Sequence, residues 1–354
     1  MTAHDLILRL GERPTRRLAA LPTPLEDATR LRDALGGRAR CPRILVKRDD
    51  LTGLGLGGNK ARKLDFLIGD AVARGATSVI TTGAAQSNHA RMTAAAARRA
   101  GLEVDLVLTS AEDPPPLDGN LLLDHLFGAR VHMVPAVDPM LAVGHDEATV
   151  RQVADALVAG GGRPYVIAVG GSSAVGALGY VAGTVELTGQ LAALGVEPRR
   201  VYFASGSRGT QAGLTLGGHL LGVGYELHGV AVSGGEPEKI ERARRVAAEA
   251  AGLLGADDSV RGARFFTDQH FIGEGYGLPT AAGLEAMLLA ARTEALVLDP
   301  TYTSKALAAL IAHVRSGELS PADTVVFLHT GGAPATLTAK AAALLAATTG
   351  WQNP

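Results

Sequence analysis

The stretch V-K-R-D-D-L-T-G-L-G-L-G-G-N-K-A-R-K-L-D, Val46–Asp65, decides how the rest of the chain is interpreted. An apolar run, Arg43–Val46, leads into it and predicts a strand, and a glycine-rich turn follows at Gly53–Gly58. Lys60 then lies at the N-terminus of a predicted helix, Ala61–Arg74. A lysine placed there can act as a nucleophile, because burial lowers the pKa of its amine and the neutral amine attacks carbonyl groups. A solvated basic helix face is the alternative.

On both sides of this stretch, short apolar runs alternate with longer helical patterns. Such alternation predicts an α/β protein in which helices cover parallel-rich, twisted sheets on both faces. A short helix is predicted over Leu25–Leu35. The predicted strands are Arg43–Val46, Ser78–Thr82, Glu103–Thr109, Arg130–Val134, Tyr165–Val169, Arg200–Ala204, Glu226–Val232 and Thr324–His329.

Small, polar or glycine-rich loops follow nearly every predicted strand. Parallel sheets bind ligands beyond the carboxyl ends of their strands, so we expect these loops to converge on one cleft. The loops are Thr82–His89, Gly170–Ser173, Ser205–Thr210, Ser233–Glu236 and Thr330–Gly332.

The loop Ser205-Gly206-Ser207-Arg208-Gly209-Thr210 lies between a predicted strand and a predicted helix. Its glycines let backbone N–H groups point inward, and the helix N-terminus adds partial positive charge, so the loop suits a phosphate. The alternative is a tight turn in which Thr210 caps the helix. A G-x-G-x-x-G match at Gly53, Gly55 and Gly58 is a weak dinucleotide signal, because four charged residues separate it from the preceding strand.

The segment Gln86-Ser87-Asn88-His89 occupies another strand-to-helix junction. Free N–H groups and these polar side chains can hold a carboxylate there, although Ser87 or Asn88 can equally be an ordinary helix cap. Two tyrosines in loop-like contexts, Tyr276 and Tyr302, are candidates for acid/base groups, with packing as the alternative.

Composition excludes several classes of protein. The net charge of −1 and the 4% aromatic content disfavour nucleic-acid binding. The single cysteine, Cys41, excludes an internal disulfide and a multi-cysteine zinc site, and no metalloprotease motif is present, so we expect no metal. No apolar stretch approaches the ~18 residues of a membrane span, and the N-terminus does not read as a secretory signal. We therefore expect a cytoplasmic enzyme.

Seven motifs, in order, resemble the family of D-cysteine desulfhydrases and 1-aminocyclopropane-1-carboxylate deaminases, which depend on pyridoxal 5′-phosphate (PLP). The resemblance covers nearly the whole chain. It implies the two-domain tryptophan-synthase-β-like fold (PLP fold type II), with residues 1–62 and 171–354 in a large cofactor-binding domain, residues 63–170 in a smaller inserted α/β domain, and a homodimer. The motifs are Gly57–Leu64, Thr82–Arg91, Gly119–Asp124, Val169–Tyr180, Ser205–Leu214, Asp299–Ala306 and Phe327–Ala335.

The resemblance also implies roles for matching positions. Lys60 would carry PLP as a Schiff base and exchange the Cα proton. Lys63 and the loop of Ser205, Gly206, Ser207, Arg208, Gly209 and Thr210 would hold the phosphate, Asn88 the ring hydroxyl, and Thr330 the pyridine nitrogen. Gln86, Ser87, Asn88 and His89 would surround the substrate carboxylate, with Ser87 also a proton donor, and Tyr276 and Tyr302 would flank the substrate and the ring.

The chain departs from the deaminase pattern after Tyr302, where the deaminases have a glutamate thought to face the pyridine nitrogen and this sequence has Thr303. β-Elimination needs a weaker electron sink than cyclopropane opening. The sequence therefore predicts a D-cysteine desulfhydrase-like β-lyase that acts on a small sulfur-containing amino acid and yields pyruvate, ammonia and a sulfur product. Alternatives are an L-cysteate sulfo-lyase, the cyclopropane deaminase, a racemase or dehydratase, and a binding module that has lost catalysis.

Arg208 is a further departure, since a small residue is expected at that place. Its guanidinium would face solvent or brace the phosphate from outside, or else bind an anionic substrate group.

Overall fold

A computed structural model gives the architecture for residues 1–136, 147–256, 260 and 262–350. The strands are β1 Leu25–Asp27, β2 Arg43–Lys47, β3 Ser78–Ala84, β4 Glu103–Ser110, β5 Arg130–Pro135, β6 Pro164–Val166, β7 Arg200–Ser205, β8 Glu226–Ala231, β9 Thr267–Asp268 and β10 Thr324–Leu328. The helices are α1 Ala3–Gly11, α2 Thr29–Ala34, α3 Lys60–Ala73, α4 Asn88–Ala100, α5 Gly119–Leu126, α6 Glu147–Ala159, α7 Ala174–Ala193, α8 Gly209–Leu221, α9 Glu238–Leu253, α10 Ala281–Glu294, α11 Thr303–Arg315, α12 Ala333–Thr336 and α13 Ala339–Thr349.

Two sheets organise these elements. The larger has the strand order β1-β2-β10-β7-β8-β9, and every pairing in it is parallel except that of β1 with β2. The smaller has the order β5-β4-β3-β6 and is parallel throughout. The predicted α/β class with parallel-rich sheets is confirmed. The strands of the smaller sheet all lie between Ser78 and Val166, inside the segment predicted as an inserted domain, whose boundaries stay a prediction.

Helix α7 packs tightly against its neighbours because glycines remove side chains at the contacts. A Cβ at Gly179 would lie 2.3 Å from the carbonyl oxygen of Arg62, in the first turn of α3. A Cβ at Gly213 would lie 2.3 Å from the carbonyl oxygen of Ala177, where α8 meets α7. These close approaches bring the starts of α3 and α8 towards the same point.

The eight predicted strands are confirmed, with ends that differ by one to three residues. The predicted helix over Leu25–Leu35 is wrong in its first part, because Leu25–Asp27 pairs with Lys47, Val46 and Leu45 as an edge strand and helix begins only at Thr29. Helix α7 begins at Ala174, where the Ser173 side chain accepts a hydrogen bond from the N–H of Gly176 and caps the helix.

Candidate active site

A cavity of about 260 Å³ lies where the carboxyl ends of strands from both sheets approach each other. The five loops predicted to converge all contribute to its wall. Lining residues are Asn59, Lys60, Gly83, Ala84, Ser87, Asn88, His89, Val169, Gly170, Ala204, Ser205, Gly206, Ser207, Arg208, Thr210, Gln211, Ser233, Gly234, Gly235, Lys239, Arg242, Tyr276, Tyr302, Thr330 and Gly331.

Lys60, the first residue of α3, presents its amine to this cavity. The amine donates a hydrogen bond of 3.0 Å to Asn59 Oδ1. Burial lowers the pKa of Lys60 from its ordinary 10.5 to about 8, although the nearby Asp299 carboxylate opposes the shift. A substantial fraction of this amine is therefore neutral and nucleophilic near neutral pH.

A buried ionic network fixes the turn of helix that carries Lys60. Arg62 donates from Nε to Asp49 Oδ2 at 2.8 Å and from Nη2 to Glu186 Oε1 at 2.8 Å. Tyr180 on α7 donates to the same Asp49 oxygen at 2.6 Å. Since Asp49 and Arg62 are almost fully buried, loss of one partner would leave an unpaired charge inside the protein. The network therefore holds the start of α3 rigidly against α7.

The loop between β7 and α8 forms the opposite wall. Arg208 has a left-handed backbone (φ 73°) directly before α8, which turns successive N–H groups towards the cavity end of the helix. The Ser172 hydroxyl donates to Ser207 Oγ at 2.8 Å and accepts from the N–H of Gly209 at 3.1 Å. Ser207 thus keeps its own proton available for a ligand. A Cβ at Gly170 would lie 2.1 Å from Ser207 Oγ, so only glycine leaves this hydroxyl in place.

The other side chains of this loop brace it. Ser205 donates to Gln211 Oε1 at 2.6 Å, and the Asn59 amide donates to Thr210 Oγ1 at 3.0 Å. Asn59 therefore links the loop to Lys60, whose amine contacts the other end of the same amide.

Arg208 is buried, not solvent-facing, and its guanidinium forms a short ion pair with Glu236. The same guanidinium donates to the carbonyl oxygen of Ser205 at 3.1 Å. Burial lowers the pKa of Arg208 to about 10, which reflects how little water reaches it. The side chain is thus already occupied by Glu236, and only its backbone follows the predicted anion loop.

Lys63 does not line the cavity. Its amine lies behind the loop and donates to the carbonyl oxygen of Gly170 at 3.0 Å. Burial, and next the charge of Lys60, hold the pKa of Lys63 well below its usual range. Its contribution to an anion in the cavity would be electrostatic, through the Gly170 turn.

The start of α4 contributes polar groups to the wall of the cavity. Ser87 is the helix cap and accepts from the N–H of Ala90 at 3.2 Å, and its hydroxyl proton can serve a ligand. The Thr81 hydroxyl, 2.9 Å from His89 Nε2, gives its proton to the carbonyl oxygen of Ile167, so His89 Nε2 must be the protonated nitrogen. Burial and the nearby lysines keep the pKa of His89 well below its usual value, so the ring is neutral.

Gln86 is not part of the cavity wall. Its amide nitrogen donates to Asp118 Oδ1 at 3.0 Å, and its oxygen accepts from the N–H of Asn120 at 2.9 Å. The Asn120 side chain in turn donates to Asn88 Oδ1 at 3.1 Å. Gln86 and Asn120 therefore orient Asn88 from behind, and the predicted direct contact of Gln86 with a carboxylate has no geometric basis here.

Tyr276 and Tyr302 meet in the cavity through a short hydrogen bond between their hydroxyls. Their rings lie edge to face, with centroids 5.9 Å apart. Burial raises the pKa of both phenols, that of Tyr302 well above its usual value, so both are protonated at neutral pH. Lys305 holds the loop before Tyr276, because its amine donates to the carbonyl oxygens of Ile272 at 2.7 Å and Gly275 at 3.0 Å.

Thr303 does not face the cavity. It is fully buried, and its hydroxyl donates to Asp299 Oδ1 at 2.7 Å. Asp299 also accepts the backbone N–H groups of Thr301 and Tyr302 and so fixes the turn that presents Tyr302. Thr330 does line the cavity, and its carbonyl oxygen accepts from the N–H of Asn59 at 3.0 Å.

Sequence reasoning missed several residues of the site: Asn59, Ser172, Lys239 and Arg242. Asn59 and Ser172 belong to two of the seven motifs, so the sequence pointed to their positions. It did not reveal which atoms they contact. The two cations follow the loop Ser233–Glu236 at the start of α9, and the Lys239 amine donates to Ser233 Oγ at 2.7 Å. Burial lowers the pKa of Lys239 to about 8 and lowers that of Arg242 as well.

Comparisons with known proteins agree with this geometry. A family described as pyridoxal-phosphate dependent enzyme matches residues 17–331. The D-cysteine desulfhydrase of Salmonella choleraesuis (strain SC-B67) is 42% identical over 328 residues, covering 91% of this chain and 95% of that protein. That of Salmonella typhi is 42% identical over 335 residues, with the same coverage.

Solved structures share the fold. A crystal structure of an ACC deaminase homologue superposes with a TM-score of 0.85 at 34% identity, covering 97% of this chain and 98% of that chain. A fungal L-serine ammonia-lyase from Rhizomucor miehei has a TM-score of 0.64 at 18% identity, covering 95% and 99%, and so shares the fold alone. The extent of these matches shows that the chain belongs to the family of pyridoxal-phosphate-dependent enzymes.

Proposed function

We propose that this chain is a PLP-dependent β-lyase that removes sulfur from a small amino acid, in the manner of the D-cysteine desulfhydrases to which it is similar. The observation that carries the proposal is the cavity in which Lys60, the Ser205–Thr210 loop and the tyrosine pair face one another. The Salmonella relatives supply the substrate class, because they match nearly the full length of the chain.

The residues of the cavity fit the cofactor. PLP needs an amine that can attack its aldehyde, and the Lys60 amine has its pKa lowered to about 8. It needs a cradle for its phosphate, and the start of α8 offers backbone N–H groups with the Ser207 and Thr210 hydroxyls beside them. We assign the pyridine nitrogen to Thr330 and the ring hydroxyl to Asn88, which both line the cavity.

When bound, PLP supplies an electron sink for the negative charge that develops at the substrate Cα. Lys60 takes the Cα proton, the Cβ–S bond breaks with its electron pair leaving on sulfur, and a Cα–Cβ double bond forms. Hydrolysis of that product gives pyruvate and ammonia. Ser87 and the free N–H groups at the start of α4 bind the substrate carboxylate and fix which hydrogen faces Lys60, and the neutral His89 lies beside them in the cavity wall.

The departing sulfur needs a proton. Tyr276 and Tyr302 keep their protons at neutral pH and share a hydrogen bond, so one can donate while the other stabilises the resulting oxygen. Asp299 and Lys305 act through these tyrosines, since each fixes the backbone that carries one of them.

The test is a substrate panel on the purified holoenzyme. D-cysteine, L-cysteine, L-cysteate, D-serine and 1-aminocyclopropane-1-carboxylate are incubated separately, and pyruvate, ammonia, sulfide, sulfite and substrate chirality are measured. Sulfide and pyruvate in equal amounts from D-cysteine support the proposal. Turnover of the cyclopropane alone, racemisation without pyruvate, or no turnover of any substrate would contradict it. A Lys60→Ala variant is the control for background chemistry.

L-cysteate sulfo-lyase activity is the second candidate, and one observation favours it. Lys239 and Arg242 both line the cavity, and a sulfonate is an anion that such cations bind well. Sulfite release from L-cysteate that exceeds sulfide release from D-cysteine would make this the principal activity. The cyclopropane deaminase is disfavoured, because Thr303 supplies no carboxylate to the cavity.

We further infer a cytoplasmic homodimer with the two-domain division given above. The support is the family resemblance and, for the division, the segregation of β3, β4, β5 and β6 into one sheet. In the part of the chain that the structure describes, none of the helices combines the length and the hydropathy of a transmembrane span. Light scattering on the eluting protein tests the dimer, cell fractionation tests the location, and limited proteolysis near residues 63 and 170 tests the boundaries.

A further inference from the structure

A group of metal-ligand side chains lies on the larger sheet, apart from the PLP cavity. His228 on β8, Asp268 on β9 and His313 in the last turn of α11 each offer one ligand atom, and these atoms lie within 4.8 Å of one another. None of the three lines the cavity. The three residues are far apart in the sequence, so no short sequence motif identifies them as a group.

The spacing of the ligand atoms suits one ion. His228 Nε2 lies 3.2 Å from Asp268 Oδ2, and His313 Nε2 lies 3.7 Å from the same oxygen. Glu318 Oε2 lies 3.6 Å from His313 Nε2, but Glu318 is not part of the group whose ligand atoms all lie within 4.8 Å of one another. Zn²⁺ binds imidazole nitrogen and carboxylate oxygen at about 2.0–2.2 Å, so neighbouring ligands of a tetrahedral ion lie roughly 3.4 Å apart. The observed separations bracket that value.

The surroundings fix the imidazole of His313 in the required orientation. Its Nδ1 lies 2.8 Å from the Tyr202 hydroxyl, and Arg200 donates to the same hydroxyl at 3.0 Å. In the tautomer with its proton on Nδ1, His313 donates to Tyr202 and has a free lone pair on Nε2, the nitrogen nearest Asp268. Ligand histidines elsewhere are oriented in the same way by a partner on the second nitrogen.

The charged residues around His228, Asp268 and His313 also favour the binding of a cation. Arg200 pairs with Glu226 and Glu318, whereas the ion-pair partners of Asp268 in the described part of the chain are the imidazoles of His228, His270 and His313. The three carboxylates of Asp268, Glu226 and Glu318 outnumber the one guanidinium by two, and this excess of acidic groups favours a cation. His270 contacts the other oxygen of Asp268 at 2.8 Å and is exposed, so solvent and ions can reach the edge of the group.

We propose that His228, Asp268 and His313 bind one divalent transition-metal ion, with Zn²⁺ as the first candidate because mixed imidazole and carboxylate ligands suit it. The ion ties β8 and β9 to the last turn of α11. It has no part in the elimination, so its role is structural. The expectation of no metal rested on sequence motifs, which do not report ligands that β8, β9 and α11 contribute from distant parts of the sequence.

The experiment uses tag-free holoenzyme that has been dialysed against a chelator and then titrated with Zn²⁺ in a calorimeter. We expect one ion per chain, confirmed by elemental analysis, and a visible ligand-field spectrum when Co²⁺ replaces Zn²⁺. The thermal unfolding midpoint should rise with Zn²⁺ concentration. A wild-type protein that takes up no stoichiometric ion overturns the proposal, and this result does not depend on whether any variant folds.

Variants locate the ion. Tyr202→Phe keeps the ring but loses the contact with Nδ1, and should weaken Zn²⁺ binding by about 10–100-fold, as for other groups that orient a ligand. His313→Ala and His228→Ala should weaken it at least as much. His125→Ala, which removes an exposed side chain of α5, is the matched control and should change nothing. Binding that survives both ligand substitutions would mean that the ion lies elsewhere, and would overturn the proposal.

Discussion

The lowered pKa of Lys60 predicts how the cofactor-free protein takes up PLP as pH changes. Only the neutral amine attacks an aldehyde, so the rate of covalent attachment should follow the neutral fraction of Lys60. A pKa of about 8 in place of 10.5 gives roughly 300-fold more neutral amine at pH 7. The rate of attachment should therefore rise about tenfold from pH 7 to pH 9 and level off there. For a lysine with an ordinary pKa, the rate would continue to rise beyond pH 10.

The assay mixes apo-protein with PLP at a series of pH values, quenches with borohydride, and measures the mass of the intact chain. Nα-acetyl-lysine in parallel reactions is the control for ionisation of PLP itself. Asp299 raises the pKa of Lys60 and Arg91 lowers it, so Arg91→Gln should move the midpoint of the rate to higher pH. A midpoint near 10.5 in the wild type, or covalent attachment that persists in Lys60→Ala, would refute the reasoning.

Three further substitutions test the walls of the cavity. Lys305→Met removes both hydrogen bonds to the loop before Tyr276, so kcat/KM should fall by about tenfold with PLP content unchanged; full activity would exclude a positioning role. Arg242→Gln should raise KM for L-cysteate by at least about tenfold and leave D-cysteine unaffected, and an equal change for both substrates would remove Arg242 from substrate recognition. Arg208→Gln leaves Glu236 buried without its partner and should cost about 3–5 kcal/mol of unfolding free energy in urea titrations, which the added Glu236→Gln should partly restore.

The sequence predicted the elements that depend on local pattern. Strand β3 and the helix after it follow from an apolar run and from Ser87, because serine is one of the residue types strongly preferred at helix N-caps. The segment Leu25–Asp27 was misjudged because its strand state comes from pairing with β2, a tertiary contact that overrides local helix preference.

In the candidate site, too, the features marked by local sequence pattern were predicted and those set by tertiary contacts were not. Lys60 and the Ser205–Thr210 loop were found because glycines and a strand-to-helix junction mark them in the sequence. The direction of a side chain was not available from those signals, and Gln86 and Arg208 accordingly point to partners on other elements, Asp118 and Glu236. The family resemblance implied roles for Gln86 and Arg208, but the packing of the folded chain decides which of their atoms reach the cavity.

The position of β10 has a consequence for how the protein is made. This strand, Thr324–Leu328, belongs to the last tenth of the chain, yet it lies between β2 and β7 in the middle of the larger sheet. While the ribosome is still translating, β2 and β7 therefore have no partner between them, and the wall formed by Thr330 is missing. Cofactor loading must wait until β10 and Thr330 have been synthesised, and a nascent chain stalled before residue 324 would expose two unpaired strand edges to aggregation or to chaperones.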